Sequence, residues 1–596
     1  MIKERIEKFR SLMKKKGIDA FLVPTEDSHN SEYVGEYFKC REYITGFTGS
    51  AGKAVIMQDM AGLWTDGRYF IQAAAQLTGS GVTLYKMGEP GVPTIEEFLE
   101  QNLKNGQCLG FDGKTVSASD AANLTKRMEK LGVSITCQED LVGEIWKERP
   151  ALSCEPVMEL EVSWAGKSRS EKIREIREEL KKEEADVFLL TSLDDIAWLM
   201  NLRGKDIHTC PVFFSYLSMT RDQVTLYAQE KAFPEAVKTA LQKDGIMLAP
   251  YEQIYDDVSR IPAGKKVLLD EERVNLLLKE SVAKEAVIID GLNPTLLKKA
   301  VKNPTEVENM RKAHIKDGVA LTRFIYWLKK NVGKIPMTEL SAAEKLYSFR
   351  KEQENFRGNS FDPIISFAEH AAINHYSATE ETDIPIDPIG FLLCDTGGHY
   401  LEGTTDTTRT VVMGPARDDQ KQMFTAVLRG MLNLADTKFR EGCAGYNLDA
   451  IARKPLWDLG KDFNHGTGHG VGYFLNVHEG PNAFRWKILP QRGTAAPFEE
   501  GMITSDEPGY YVEGDYGIRH ENLIVCKKAE KTEFGQFLTF EHLTMVPFDL
   551  DGILPEQMTA YERKLLNQYH AKVYETIGPL LNEEERAWLK TATRAV

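Results

Sequence analysis

The stretch FLLCDTGGHYLEGTTDTTRTVV, Phe391–Val412, carries the pattern that decides the fold of the second half of this chain. The apolar run Phe391 to Cys394 leads into Asp395, Gly397–Gly398 turns the chain, and Thr404 to Val412 reads as the returning strand. Apolar and β-branched runs on either side of a glycine turn predict an antiparallel pair. Asp395 then falls at a strand end and Asp406 in the middle of a threonine-rich strand. A carboxylate inside a strand is costly unless it is paired or binds a cation.

Three later segments carry residues of matching chemistry: His469 in HGTGHGVG (465–472), Glu507 in TSDEPGYY (504–511) and Glu521 in GIRHEN (517–522). Any one of these acids alone is more often a surface charge. Together, Asp395, Asp406, His469, Glu507 and Glu521 form a set of carboxylates and one imidazole that nearly neutralises a pair of divalent cations. Mostly oxygen donors with one nitrogen suit Mn²⁺ first, with Co²⁺ or Zn²⁺ also suited. The absence of cysteine from the set argues against a structural zinc site. Two such ions about 3.5–4 Å apart hold a bridging hydroxide at neutral pH and polarise a carbonyl oxygen, which is machinery for hydrolysis.

These segments resemble the pita-bread metallopeptidases, the group of aminopeptidase P, prolidase and methionine aminopeptidase. The similarity to the Xaa-Pro aminopeptidases of that group runs over nearly the whole chain: GFTGSAG (46–52), LWTDGRYF (63–70), DDIAWLMNLRG (194–204), PVFFSY (211–216), HGTGHGVGYFLNVHEGP (465–481) and DEPGYY (506–511). The resemblance implies that Asp395 binds one metal, that His469 and Glu507 bind the other, and that Asp406 and Glu521 share both. It implies that Glu507 also relays protons, and that His375 and His478 hold the scissile carbonyl and stabilise the tetrahedral intermediate. His465 is expected to line a proline pocket, with Phe361 and Tyr511 as further pocket residues, and Arg519 to orient the carboxylates. His465 and His469 are four apart, but Gly466, Gly468 and Gly470 argue against a helix, so one ligand and one pocket residue are expected rather than a shared metal site. His399 and His520 match no family role and are read as ordinary surface histidines. Arg68 is read as holding Asp66 in a structural turn.

The chain repeats itself. RIEKFRSLMKKKGIDAFLVPT (5–25) resembles KIREIREELKKEEADVFLLTS (172–192), with Ile6, Phe9 and Met13 aligned with Ile173, Ile176 and Leu180, and Asp19 with Asp186. Each copy is an amphipathic helix followed by an apolar strand. Two similar α/β domains are therefore expected, at 1–158 and 159–301, creatinase N-terminal-like by the resemblance. Asn303, Pro304 and Glu306 form a helix start, with a capping box and proline at the first position, for a helix running to about Lys330. The resemblance implies a pita-bread α+β catalytic domain at 302–548; 549–596 reads as a helical extension, and the resemblance implies that it packs on the catalytic domain and helps build a homodimer.

Composition agrees with a large multidomain enzyme. At 596 residues the chain exceeds one core. A formal net charge of −15 argues against a nucleic-acid partner. The eight cysteines are scattered with no CxxC pair, as in a cytoplasmic protein with reduced thiols. The charged N-terminus has no signal-peptide core, and no apolar run is long enough for a membrane span.

The expected activity is metal-dependent hydrolysis of the N-terminal Xaa-Pro bond of peptides with proline in second position. Prolidase, which takes only dipeptides, is the alternative, and it typically has one N-terminal domain where this chain has two. A non-catalytic pita-bread binding module is a further alternative, disfavoured because all five ligand positions are filled. Creatinase lacks the ligand set.

Overall fold

The computed structural model describes residues 1–489, 493 and 495–596. The chain divides into two compact units, Met1–Glu161 with Lys167–Thr295, and Val162–Gly166 with Leu296–Val596.

The first unit is built twice from one plan. Helix α1 (Ile2–Lys16) buries Ile6, Phe9 and Met13 and leads into strand β1 (Ala20–Val23). Helix α2 (Arg169–Lys182) buries Ile173, Ile176 and Leu180 and leads into β2 (Val187–Leu190). Strand β1 pairs antiparallel with Lys53–Met57 and parallel with Cys108–Phe111. Strand β2 pairs antiparallel with Ser215–Thr220 and parallel with Lys266–Leu269. Both sheets have six strands, and their outer strands follow the same order and sense. Asp19 and Asp186 explain their alignment: each accepts the backbone N–H of the first residue of the neighbouring parallel strand, Cys108 at 2.8 Å and Lys266 at 2.9 Å. Arg68 donates to both oxygens of Asp66 at 2.9 and 2.8 Å, as the turn reading expects.

The second unit opens with α3 (Pro304–Asn331), whose cap Asn303 accepts from Thr305 and Glu306 in the expected capping box. Helix α4 (Glu339–Lys351) follows. Strands β3 (Ile364–Phe367), β4 (Phe391–Thr396) and β5 (Thr407–Val412) form one antiparallel sheet with β4 central, and Asp395 stands opposite Thr408. The returning strand thus begins at Thr407, and Asp406 sits just before it rather than in its middle, where its carboxylate escapes the strand interior. Helices α5 (Asp418–Ala435) and α6 (Gly445–Trp457) pack so tightly that a Cβ on Gly430 would strike the Ala452 carbonyl.

A six-stranded sheet holds β6 (Gly468–Gly470), β7 (Glu479–Phe484), β8 (Ile503–Asp506), β11 (Asn522–Thr532) and β12 (Gly535–His542), with Phe439–Arg440 on the edge; β9 (Gly509–Val512) and β10 (Tyr516–Arg519) form a hairpin between β8 and β11. The tail helices α7 (Ala560–Ile577) and α8 (Glu583–Ala592) put Leu566, Tyr569, Val573, Ile577 and Leu589 into the core that α5 also fills. Among the described residues no helix is long and apolar enough to cross a membrane, and all eight cysteines are unpaired.

Candidate metal centre

Register brings the ligand candidates together. Strands β8 and β11 pair with Asp506 opposite Asn522, so Glu507, just past the end of β8, and Glu521, just before β11, share one end of the sheet. Strand β6 lies beside β8 and β7 and carries His469 to the same place. The glycines flanking His469 are required there. A Cβ on Gly468 would strike the Ser505 carbonyl and one on Gly470 the Glu479 carbonyl. The Glu521 backbone N–H donates to the Thr408 carbonyl at 3.1 Å, which ties that sheet to β5 and Asp406.

Ligand atoms of Asp406, His469 and Glu521 all lie within 4.8 Å of one another. His469 Nε2 is 3.3 Å from Glu507 Oε1 and 3.5 Å from Asp406 Oδ2. Its Nδ1 lies 2.9 Å from the Gly470 carbonyl, so the ring N–H points there and Nε2 is left to face the carboxylates. Asp395 joins the cluster electrostatically, since the charges of Asp406 and Glu507 bear on it. The structure thus gathers Asp406, His469 and Glu521, with Glu507 beside His469, and the Asp395 carboxylate is within electrostatic reach of them.

The electrostatics are those of a site short of positive charge. Burial raises the Asp395 carboxyl to about 6 against the opposing pull of Arg519, and Asp406 adds to the rise. Burial, then Asp406 and Asp395, push Glu521 well above the carboxylate range. His469 is lowered by burial but raised further by Asp406 and Glu507, to about 9. Asp395 Oδ1 and Glu521 Oε1 are buried and lack a hydrogen-bond partner. Orphaned anionic oxygens at this density are what bound cations satisfy, so the residues present fit a pair of divalent ions.

A hydrogen-bonded chain backs the cluster. Arg519 donates from Nη2 to Asp395 and from Nη1 to the Tyr511 hydroxyl at 2.7 Å. Since arginine only donates, the Tyr511 hydroxyl is free to donate to His465 Nε2 at 2.9 Å, while His465 Nδ1 faces the Gly466 carbonyl at 2.8 Å. His478, just before β7, stands edge-on to His469 with ring centres 4.3 Å apart, and His375 lies 6.4 Å from His478.

Family models match the chain along most of its length. Residues 5–140 and 148–306 each match the creatinase/prolidase N-terminal domain, 308–528 match metallopeptidase family M24, and 536–596 match the C-terminal region of that peptidase family. A probable Xaa-Pro aminopeptidase P of Paracoccidioides brasiliensis (strain Pb03) is 40% identical over 100% of this chain and 99% of its own length. The chain belongs to metallopeptidase family M24. A second relative of that name, from Laccaria bicolor, is 40% identical over 98% of this chain and 92% of its own length. Among solved structures, the X-prolyl aminopeptidase of Caenorhabditis elegans, described as a cytosolic enzyme with a di-nuclear active site, superposes with TM-score 0.95 at 33% identity, over 100% of both chains. The prolidase of Pyrococcus horikoshii OT3 shares the fold over 64% of this chain and 99% of its own, with TM-score 0.50 and 22% identity.

In this M24 chain several contacts around the candidate ligands escaped the sequence reading. Thr408 Oγ1 donates to Glu521 Oε2 at 2.8 Å. Ser505 Oγ accepts from the His469 N–H at 2.9 Å and donates to Glu507 Oε1 at 3.0 Å, so one hydroxyl ties two of the candidate ligands. The fully buried pair Asp449–Arg453 on α6 fixes the histidine motif from behind. Arg453 donates to the Phe463 and His465 carbonyls, both at 2.8 Å, and Asp449 accepts from Thr467 at 2.6 Å. His399 and His520 are buried, not surface residues. His399 contacts Thr404 Oγ1 at 3.1 Å, and His520 stands edge-on to Phe424, its ring kept neutral by burial first and by the Arg409 charge next.

Proposed function

We propose that the chain is an Xaa-Pro aminopeptidase that removes the residue preceding proline at the N-terminus of a peptide. The observation that carries this reading is the convergence of Asp406, His469 and Glu521 within 4.8 Å, with Glu507 3.3 Å from His469. The end-to-end likeness to relatives of that name supports it. Asp395, Asp406, His469, Glu507 and Glu521 would hold two divalent ions, Mn²⁺ by preference. Such ions supply Lewis acidity at the scissile carbonyl and lower the pKa of the attacking water.

The chain's own residues do the rest. Glu507, oriented by Ser505, takes the proton of the attacking water and returns it to the leaving nitrogen. His478 and His375 donate to the carbonyl oxygen as it gains charge. His465 lines the proline pocket with Tyr511 and Phe361, and Arg519 holds Asp395. Proline lacks an N–H and fixes its own φ, so a pocket shaped for the ring selects the bond that other aminopeptidases cannot place. The same reading includes domains at 1–158, 159–301, 302–548 and 549–596, a cytoplasmic location and a homodimer.

The test compares the Mn²⁺-loaded protein on Arg-Pro-Pro and on the dipeptide Arg-Pro. Release of arginine from the tripeptide supports the reading. Cleavage confined to the dipeptide makes the chain a prolidase, and no cleavage of either removes the peptidase assignment.

A further inference from the structure

Outside the metal centre, one buried carboxylate gathers more partners than a structural ion pair needs. Glu339 is the first residue of α4 and its side chain is fully buried. Its oxygens accept from the Phe367 backbone N–H at 2.8 Å, from His370 Nδ1 at 3.0 Å and from the Tyr376 hydroxyl at 2.9 Å. These donors bracket one segment, 367–376, and His375 sits at its end. Across the segment, the Asn374 carbonyl accepts from Arg519 Nη2 at 3.4 Å. Within it, Ala368 holds φ at +50°, in the left-handed region that a side chain disfavours. Such a conformation persists only where the surroundings over-determine it, and it concentrates where geometry serves function.

We propose that Glu339 is a positioning residue: it clamps the strained turn after β3 through Phe367, His370 and Tyr376, and thereby sets where His375 stands relative to His478 and the carboxylates. This rests on the role given to His375 under the aminopeptidase reading. On this proposal Glu339 acts through His375 and takes no part in the chemistry itself. The clamp acts on the chemical step, because His375 serves the carbonyl as charge develops, and much less on capture of the peptide.

The experiment uses the full-length, Mn²⁺-loaded protein with Glu339→Gln and Tyr376→Phe. The second variant removes a single hydroxyl and leaves the helix cap intact, so it keeps the test open if the first fails to fold. Rates on Arg-Pro-Pro are measured together with hydrogen exchange of the 367–376 backbone and bound metal per chain. The clamp predicts a fall in kcat of about 10- to 100-fold for Glu339→Gln, as for a misplaced catalytic group, and a smaller fall for Tyr376→Phe. KM stays within about 2-fold if only the transition state is affected. Exchange of 367–376 rises, and metal content is unchanged. In Ala368→Gly, exchange of the same segment stays at the parent level, because glycine tolerates the clamped φ. Retained kcat in folded Glu339→Gln, or unaltered exchange in 367–376, overturns the proposal. A parent chain that binds metal but cleaves no Xaa-Pro peptide fails the aminopeptidase reading instead, and the exchange data then decide the clamp alone.

Discussion

Replacing Arg453 by methionine tests whether the histidine motif is held from behind. The Arg453 side chain donates to Asp449 at 2.7 Å, to Asp462 at 2.7 Å, and to the Phe463 and His465 carbonyls at 2.8 Å each. Asp449 and Arg453 are both wholly buried. Methionine fills much of the volume but leaves the Asp449 carboxylate with only the Thr467 hydroxyl, and two carbonyls without their donors. Removing one partner of a buried pair costs about 3–5 kcal/mol, or a factor of roughly a hundred to several thousand in the opening equilibrium. The two units need not unfold together, so the assay is native-state hydrogen exchange in peptides spanning 449–470. The double variant Asp449→Asn/Arg453→Met removes the stranded charge, and it should be less destabilised than the sum of the singles by more than about 1 kcal/mol. A single-variant effect below about 1 kcal/mol, the range of an exposed pair, or strict additivity in the double, would refute this.

Three other outcomes follow from the same geometry. Tyr511→Phe strands Arg519 Nη1 and His465 Nε2, and should lower kcat/KM on Arg-Pro-Pro by about 10-fold, the equivalent of one charge-assisted hydrogen bond; an unchanged value would mean the chain from His465 to Asp395 is idle. In metal-free protein, Asp395, raised to about 6, withholds stability as pH climbs from about 4 to 6, and His469, raised to about 9, loses its contribution as pH climbs from 6.5 through 9. Both slopes run downward, so metal-free protein should melt lower at pH 8 than at pH 6, and the gain in Tm on adding Mn²⁺ should be larger at pH 8, where protons compete less for the ligands. A Tm gain that shrinks with pH would contradict that sign.

Much of this was legible in the sequence because the information is local. The paired helix–strand openings, the Asn303 capping box and the Gly-flanked His469 each depend on residues within a few positions of one another. Misplacing Asp406 in mid-strand came from the threonine run, whose β propensity does not mark where pairing begins. Asp449 and Arg453, four apart on a helix, look like a solvated surface pair. Only the tertiary fold buries them against 463–467. His399 and His520 look like surface residues for the same reason, since their burial is decided by Phe474 and Phe424, distant in sequence. The bracketing of 367–376 by Glu339 depends on α4 meeting β3, which no spacing encodes.

The most direct measurement is metal stoichiometry against activity. The chelated protein is titrated with Mn²⁺ while bound metal per chain and release of arginine from Arg-Pro-Pro are followed together, with Asp406→Asn alongside. The account predicts that release is absent without metal, returns as two ions bind, and stays at least about 1,000-fold lower in Asp406→Asn, a loss of several kcal/mol of metal-dependent stabilisation. Full release by chelated protein, or an Asp406→Asn variant that binds two ions and cleaves normally, would contradict it.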